Sequence, residues 1–304
     1  MGANMNKSTF NMLTFDGGGL RGSLSIRLFD KIQKEYPNIL KETNLLGGTS
    51  TGSLIALGLS YGLSCESIKK LYSLEYAKYI FKNPQQEIFR PKYNNDNLKK
   101  VLLSIFPEDL RLKDLKKLVV IPTFYIGDDN NSWRAIYYNN LPNSETENAR
   151  VVDVAMSSCA ALIFFPTYKN HIDGGIMANN PSLACLIYAM SKEIGKSIND
   201  MRILSIGTGY KFDKIIEDTS EWGALDWILS NEPDFPIISV VLESSLSTSN
   251  EFCKKLLEDN YFRVNPKTDI DIGMDNYNAL DYLNKVSNDY DVKDIINWLN
   301  TKWK

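Results

Sequence analysis

Short apolar runs alternate with longer stretches of helical periodicity along this chain. The apolar run Met12–Phe15 is followed by leucines at four-residue spacing, among them Leu20, Leu24 and Leu28, and then by a second short run at Leu45–Leu46. Four-residue spacing places side chains on one face of a helix, whereas short apolar runs bounded by glycine are typical of buried strands. The alternation of the two patterns predicts a layered α/β fold.

The middle of the chain adds further strands to this pattern. Leu118–Ile121 and Phe124–Ile126 predict a strand that is interrupted by Pro122, and Trp133–Tyr138 predicts its hairpin partner. A short strand is expected at His171–Asp173. No internal repeat and no Pro/Gly/Ser-rich boundary divides the sequence, so we expect one domain over residues 8–304.

The first residues are polar and are expected to stay outside this domain. Residues 1–7 lack the apolar core of a signal peptide and predict a short extension. We interpret residues 1–4 as a cloning remnant, with Met5 as the natural start. No apolar run in the chain approaches the roughly 20 residues that a membrane helix needs. The expected location is therefore cytoplasmic, with only transient membrane association.

Composition and charge exclude several classes of protein. The 304 residues are 43% hydrophobic and 23% charged, which is close to the globular average and unlike collagen, coiled coils or disordered chains. The net charge is −3, without the basic face that nucleic-acid binding requires, so no nucleic-acid partner is predicted. Cys65, Cys159, Cys185 and Cys253 fit neither a zinc motif nor a disulfide framework, and we expect reduced thiols and no bound metal.

The segment Gly48-Thr49-Ser50-Thr51-Gly52 matches G-x-S-x-G between a predicted strand and a predicted helix. A sharp turn there strains the backbone at Ser50, and side chains at Gly48 and Gly52 would collide. The turn lifts the Ser50 hydroxyl above the positive end of the next helix, which favours an alkoxide-like state. The motif predicts Ser50 as a nucleophile; the alternative is an ordinary turn rich in glycine, threonine and serine.

A second glycine-rich segment, Asp16-Gly17-Gly18-Gly19-Leu20-Arg21-Gly22, contains G-x-G-x-x-G. A dinucleotide site would also need an acidic residue about 20 positions later at the end of a strand, where this chain has none. Consecutive glycines before a helix can instead aim backbone amides at one anion. We therefore expect Gly17, Gly18 and Gly19 to form an oxyanion hole, and we expect no cofactor.

The base that would activate Ser50 is predicted to be a carboxylate. The chain has one histidine, His171, and on a strand it shares a face with Asp173, so the aspartate cannot sit behind the imidazole. Asp173 ends the predicted strand and precedes Gly174 and Gly175, which leave room for substrate. The alternative is an ordinary Asp-Gly turn.

The three motifs together, in this order, resemble the patatin-like phospholipase family. Further similarity lies in Val151–Pro166, Asn179–Pro181 and Leu204–Gly209. The resemblance implies a three-layer α/β/α sandwich with a mostly parallel central sheet. It also implies a Ser50–Asp173 dyad with no metal or cofactor, an oxyanion loop at Gly17–Gly19, and supporting roles for the neighbouring motif residues, which are Arg21, Gly48, Gly52, Gly174 and Gly175. The chain departs from the family pattern at Cys159–Pro166, where a usual proline is missing, and this puts its substrate preference in question.

The implied activity is that of a serine lipid acyl hydrolase of the phospholipase A or lysophospholipase type. Its expected partner is a membrane phospholipid or another acyl lipid, met by peripheral contact; a homo-oligomer is left open. Two alternatives remain, an esterase for soluble acyl esters and a bacterial defence effector gated by a cyclic nucleotide. For Arg21, bracing of the glycine loop is expected in preference to attraction of lipid phosphate. The candidate walls of an acyl pocket are Phe81, Phe89, Phe164 and Phe165.

Overall fold

The computed structural model describes residues 9–85, 89–211, 214–230 and 235–303. Its strands are β1 Phe10–Phe15, β2 Leu45–Gly48, β3 Leu118–Tyr125, β4 Arg134–Asn139, β5 His171–Asp173, β6 Met201–Ile206 and β7 Tyr261–Val264. Its α-helices are α1 Gly22–Glu35, α2 Ile39–Glu42, α3 Thr51–Tyr61, α4 Cys65–Lys70, α5 Leu74–Ile80, α6 Asp96–Leu103, α7 Val151–Ser158, α8 Gly175–Ala178, α9 Ser182–Met190, α10 Ala224–Leu229, α11 Pro236–Leu257, α12 Leu280–Asp289 and α13 Lys293–Lys302.

The strands form one sheet in the order β4-β3-β2-β1-β6-β7, with β5 paired to β3. The pairs β3–β2, β2–β1, β1–β6 and β6–β7 are parallel, whereas β4 and β5 run antiparallel to β3. Successive side chains of β1 enter opposite cores: Leu13 and Phe15 pack with α1 and α3, and Phe10 and Met12 pack with α9 and α11. The predicted three-layer α/β/α sandwich with a mostly parallel sheet is confirmed.

The register of β3 brings two distant strand ends together. Val120 pairs with Gly47 of β2 and also with Asn139 of β4, so β2 and β4 lie on opposite edges of β3. Three residues later, Thr123 pairs with β4 and also with Asp173, so β5 lies on the same edge as β2. Because β2 runs parallel to β3 and β5 runs antiparallel, the carboxyl ends of β2 and β5 point towards each other.

The predicted interruption at Pro122 is wrong, because β3 is continuous from Leu118 to Tyr125. In a strand, the N–H and C=O of one residue point to the same side. The Pro122 carbonyl accepts a hydrogen bond from the Ser158 hydroxyl at 2.8 Å. Along β3, Pro122 lies between the residues that pair with β2 and those that pair with β5. The missing proline N–H therefore falls in this gap and costs no bond to β4.

Candidate active site

Ser50 lies in the turn between β2 and α3 with a backbone conformation that is rare for a residue with a side chain. Its φ is 52° and its ψ is −123°, a strain of about 1–3 kcal/mol that the surroundings must hold in place. The Ser50 N–H donates to the buried Ser158 hydroxyl at 3.0 Å, and the Ser53 hydroxyl donates to the Ser50 carbonyl at 2.6 Å. Buried hydroxyl groups thus satisfy both backbone groups of the strained residue.

The backbone on either side of Ser50 packs too closely for side chains. A Cβ atom at Gly48 would lie 2.2 Å from the carbonyl oxygen of Gly52, and a Cβ atom at Gly52 would lie 2.1 Å from the carbonyl oxygen of Phe15. Both distances are far below a normal carbon–oxygen contact, and the obstructing atoms are backbone. The tight turn that exposes the Ser50 side chain to the site therefore depends on glycine at both positions.

Asp173, the last residue of β5, comes to Ser50 from the opposite direction. The Gly175 N–H donates to Asp173 Oδ1 at 2.7 Å, and the Ser50 side chain lies beside the same carboxylate. Burial raises the pKa of Asp173 to about 6, and the interactions of the carboxylate with Ser50 and the Gly175 amide oppose the rise. Within the described ranges, no cation pairs with this carboxylate. A serine hydroxyl thus contacts a buried carboxylate that is ionised at neutral pH and can accept a proton.

The glycine loop after β1 lies against Ser50. A Cβ atom at Gly17 would lie 3.4 Å from the Ser50 Cβ. The Gly17 N–H is occupied, since it donates to the Asn179 carbonyl at 3.0 Å. In the part of the chain that the structure describes, the Gly18 and Gly19 amides donate to no backbone carbonyl. Of the three expected oxyanion donors, Gly18 and Gly19 are therefore the ones with amides open to a ligand.

The same loop is anchored at its start by a buried ion pair. The Arg263 guanidinium of β7 makes a two-pronged contact with the Asp16 carboxylate, with Nη1 2.9 Å from Oδ1, and the same nitrogen donates to the Ser205 hydroxyl at 2.8 Å. Burial raises the pKa of Asp16, while the Arg263 charge opposes that rise. Arg21 Nε donates to the Gly18 carbonyl at 3.4 Å, which is the geometry of a brace for the loop.

An apolar cleft opens beside Ser50. It encloses about 660 Å³ outside the atoms, including the part that is open to solvent. Phe81, Phe164 and Phe165 belong to its walls, as expected, but Phe89 is 98% exposed and does not, so that part of the prediction is wrong. The apolar residues that line the cleft are Leu20, Leu54, Leu71, Ile80, Phe81, Leu98, Val101, Ala161, Phe164, Phe165 and Met274. Such walls suit a hydrocarbon chain attached to a group held at Ser50.

Comparisons with known proteins agree with this geometry. The model of the patatin-like phospholipase family matches residues 13–186. Protein teg of Priestia megaterium is 31% identical over 280 residues, which cover 85% of this chain and 88% of that protein. The chain belongs to the patatin-like phospholipase family. The family resemblance predicted from the three motifs is thereby confirmed, and so is the predicted enzyme class, a carboxylic ester hydrolase acting on acyl lipids.

Other members of the patatin-like phospholipase family are more distant. Patatin-like protein 4 of Arabidopsis thaliana is 27% identical, over 84% of this chain and 76% of that protein. The cGAMP-activated phospholipase of Vibrio cholerae is 30% identical, over 66% of this chain and 65% of that protein.

Among the described residues, no helix has the length and apolarity that crossing a membrane demands.

The single histidine of this patatin-like chain is engaged away from Ser50. The His171 ring packs between Tyr125 and Tyr138, with ring centroids 5.1 and 5.7 Å away, and its Nδ1 lies 2.7 Å from the Lys169 carbonyl oxygen. Burial lowers the pKa of His171. In the described ranges, no three His, Cys, Asp or Glu side chains come together as metal ligands would. The group that the structure brings beside Ser50 is thus the Asp173 carboxylate and not the imidazole.

Sequence reasoning missed several residues that position this site. Ser158 supports the Ser50 turn, Asn179 holds Gly17, and Arg263 holds Asp16. Cys159 lines the cleft together with Ser50, its Sγ lies 3.9 Å from the Ser53 hydroxyl oxygen, and burial raises the pKa of its thiol. Ser158, Cys159 and Asn179 lie in segments that carry the family resemblance, which marked the segments without indicating roles. An arginine inside the otherwise apolar strand β7 was the one local feature that could have suggested a buried acidic partner.

Proposed function

We propose that this protein hydrolyses fatty-acyl ester bonds of glycerolipids, as a phospholipase A or lysophospholipase, through a Ser50–Asp173 dyad. The observation that carries the proposal is that the Ser50 side chain, which lines the apolar cleft, lies beside the buried Asp173 carboxylate. The proposed oxyanion donors are the amides of Gly18 and Gly19. Gly17, whose amide is bonded to Asn179, shapes the loop.

In the first half of the proposed reaction, Ser50 Oγ attacks the ester carbonyl carbon and its proton passes to Asp173. The carbonyl oxygen becomes an oxyanion, and each amide that binds it is worth about 2.7–4 kcal/mol in an acyl-transfer site. Collapse of the tetrahedral intermediate breaks the ester C–O bond, and Asp173 returns the proton to the departing alcohol oxygen. The products are the free alcohol, a lysolipid or glycerol derivative, and an acyl group bound to Ser50.

In the second half, water removes the acyl group. Asp173, again ionised, takes a proton from a water molecule that attacks the acyl-enzyme carbonyl, and the same amides hold the second oxyanion. Breakdown then releases the fatty acid, and the proton returns to Ser50 Oγ. One buried carboxylate can serve both halves because its raised pKa brings proton transfer in either direction within reach.

The cleft supports an acyl lipid as the substrate. Its walls are hydrocarbon and aromatic, so a fatty chain gains roughly 0.8 kcal/mol for each buried methylene group. Because such a substrate resides in a bilayer, the proposal includes transient contact of the protein with a membrane. A soluble acyl ester uses the same dyad with less of the cleft, and activity on short esters with none on vesicles would favour that alternative.

The test compares lipid release and probe labelling across matched variants. Wild type, Ser50→Ala, Asp173→Ala and the control Ser247→Ala, an exposed serine on α11, are offered phosphatidylcholine vesicles and p-nitrophenyl octanoate. Fatty acid is expected from wild type and the control only, and a fluorophosphonate probe is expected to label Ser50. Turnover by Ser50→Ala equal to that of wild type, or labelling of another residue, would refute the dyad.

Gating by a cyclic nucleotide is a second candidate, supported by the relative from Vibrio cholerae that is named a cGAMP-activated phospholipase. Vesicle hydrolysis measured with and without cGAMP, together with size-exclusion chromatography, separates a gated enzyme from a constitutive one. A rate and an elution volume that do not change on addition of cGAMP would remove the support for gating by this ligand.

A further inference from the structure

Three aromatic rings pack together at one wall of the cleft. The Tyr93 ring lies 5.1 Å from that of Phe81 and 6.0 Å from that of Phe165, and the latter two are 5.9 Å apart. Phe81 and Phe165 line the cleft, whereas Tyr93 stands behind them and is buried. The position of the two lining rings therefore depends on where Tyr93 is held.

Tyr93 is held by a carboxylate from a distant part of the chain. Its hydroxyl donates to Asp275 Oδ2 at 2.7 Å, and Lys92 Nζ lies 2.5 Å from the same oxygen. Burial together with this hydrogen bond raises the pKa of Tyr93, so its hydroxyl stays protonated as a donor. We call Lys92, Tyr93 and Asp275 the Asp275 clasp. It ties the segment between α5 and α6 to the segment between β7 and α12.

The Asp275 clasp continues into the glycine loop. Met274, its neighbour in sequence, lines the cleft, and the Met274 carbonyl accepts the Leu20 N–H at 2.8 Å. At Gly19, a Cβ atom would lie only 2.3 Å from that same carbonyl oxygen. A shift of Asp275 would therefore move a carbonyl that is in direct contact with Gly19, one of the two proposed oxyanion donors.

On its other side, the clasp is fastened to a strained turn. The Lys92 N–H donates to the Ile163 carbonyl and the Tyr93 N–H to the Phe164 carbonyl, both at 2.8 Å. Ile163 has a φ of 72°, which is exceptional for a β-branched residue and persists only where surrounding bonds impose it. Ile163 and Phe164 lie within Cys159–Pro166, where the chain departs from its family pattern.

We propose that the Asp275 clasp determines acyl-chain selectivity by coupling the aromatic wall of the cleft to the oxyanion loop. A long acyl chain that packs on Phe81 and Phe165 fixes Tyr93 and, through Asp275 and Met274, the backbone at Gly19. Binding energy from the remote part of the chain then appears as a higher kcat. Tyr93 is a positioning residue, and the inference rests on the proposed Ser50 mechanism.

The experiment measures kcat and KM separately for p-nitrophenyl acetate, which leaves the distal cleft empty, and for p-nitrophenyl octanoate. The variant is Tyr93→Phe, which keeps the ring and removes the hydroxyl. The control is Tyr36→Phe, which removes another buried tyrosine hydroxyl bonded to a carboxylate, Glu42 at 2.8 Å. Tyr36 follows α1, whose 14 residues separate it from the glycine loop by about 20 Å.

In Tyr93→Phe, the ratio of kcat for octanoate to kcat for acetate is expected to fall about tenfold, the scale of one misplaced hydrophobic contact. Tyr36→Phe is expected to keep the wild-type ratio. An unchanged ratio, an equal fall for both esters, or a rise in KM alone would overturn the coupling. If Tyr93→Phe does not fold, Lys92→Met, which loosens the same carboxylate, must lower the ratio in the same direction. Failure of the Ser50 mechanism itself would be seen separately, as acetate turnover retained in Ser50→Ala.

Discussion

Two buried aspartates, Asp16 and Asp173, lie at the carboxyl ends of strands in the central sheet. They differ in whether a cation contacts the carboxylate. Asp16 follows β1 and faces the guanidinium of Arg263, which contacts both of its oxygens. Asp173 ends β5 and faces the Ser50 hydroxyl and the Gly175 amide, with no cation beside it among the described residues. Burial raises the pKa of both carboxyls, but only at Asp16 does a positive charge oppose it.

The difference separates a group that fixes structure from a group that can do chemistry. A carboxylate held by an arginine has its hydrogen-bonding capacity filled and its charge neutralised, so it anchors the loop that follows it. A carboxylate without a cation keeps its affinity for a proton. For Asp173 the rise of the pKa from 3.8 to about 6 corresponds to about 3 kcal/mol of unfavourable free energy for the ionised form. The site thus gives up stability where it places the proposed base.

The largest expected effect comes from removing the charge of Asp173, which no cation contacts among the described residues. In Asp173→Asn, kcat for octanoate should fall about 10²–10⁴-fold, the usual contribution of a general base. The same variant should resist urea better than wild type at pH 8, by up to about 3 kcal/mol, because no buried charge remains. Activity within threefold of wild type would contradict the assignment of the base.

A matched control for that variant is Asp153→Asn. Asp153 is paired with Arg150 and Lys169 and accepts a hydrogen bond from Tyr168, and these contacts lower its pKa to about 2. Its neutralisation should reduce stability and leave kcat near that of wild type. Opposite signs of the stability change at Asp173 and Asp153 would establish that the absence of a partner, and not the loss of a carboxylate as such, produces the gain.

The second effect is expected when Asp16 loses its cation, Arg263. Arg263→Met leaves the Asp16 carboxylate buried and unpaired, which should cost about 3–5 kcal/mol of unfolding free energy. Urea denaturation measures the loss, and adding Asp16→Asn to the same chain should recover most of it. If the single variant is as stable as wild type, the ion pair does not anchor the loop, and the contrast between the two aspartates disappears.

Features set by neighbours in sequence were predictable. The turn at Ser50 between β2 and α3 followed from a strand pattern, a helix pattern and two glycines within five residues. The hairpin of β3 and β4 likewise depends on local period and turn chemistry. The fold class and the family were confirmed for the same reason, because the motifs that carry them are contiguous segments.

Features set by register and by distant partners were not predictable. Arg263 lies 247 residues from Asp16, and Asp275 lies 182 residues from Tyr93, so no periodicity joins them. The continuous strand through Pro122 depends on a gap between β2 and β5 that only the sheet register creates. Phe89 was misjudged because an aromatic residue near a pocket in sequence need not face it.

A third effect tests the unpaired acid through pH. Because the base must be ionised, kcat/KM should fall about tenfold for each pH unit below about 6, the pKa of Asp173.

The contribution of this carboxyl to the free energy of unfolding should instead increase as the pH falls. Between pH 3.8 and about 6 the folded carboxyl keeps a proton that the unfolded one loses, so this group makes wild type less stable as pH rises through that window. Asp173→Asn should lack this contribution, which urea denaturation at several pH values measures. A kcat/KM that is flat from pH 7 to pH 5 would contradict the raised pKa.

The smallest expected effect concerns the support of the strained turn. The Ser158 hydroxyl accepts the Ser50 N–H and donates to the Pro122 carbonyl, so Ser158→Ala leaves two buried groups unpaired and should cost about 1–3 kcal/mol. The control is Ser287→Ala, which removes a buried hydroxyl that donates to the Asn284 carbonyl of its own helix and which should cost less. If the turn depends on this bond, Ser158→Ala should also lower kcat, because the relaxed Ser50 backbone carries the hydroxyl away from Asp173. A loss of stability without a loss of kcat would show that other contacts hold the strained Ser50 backbone in place.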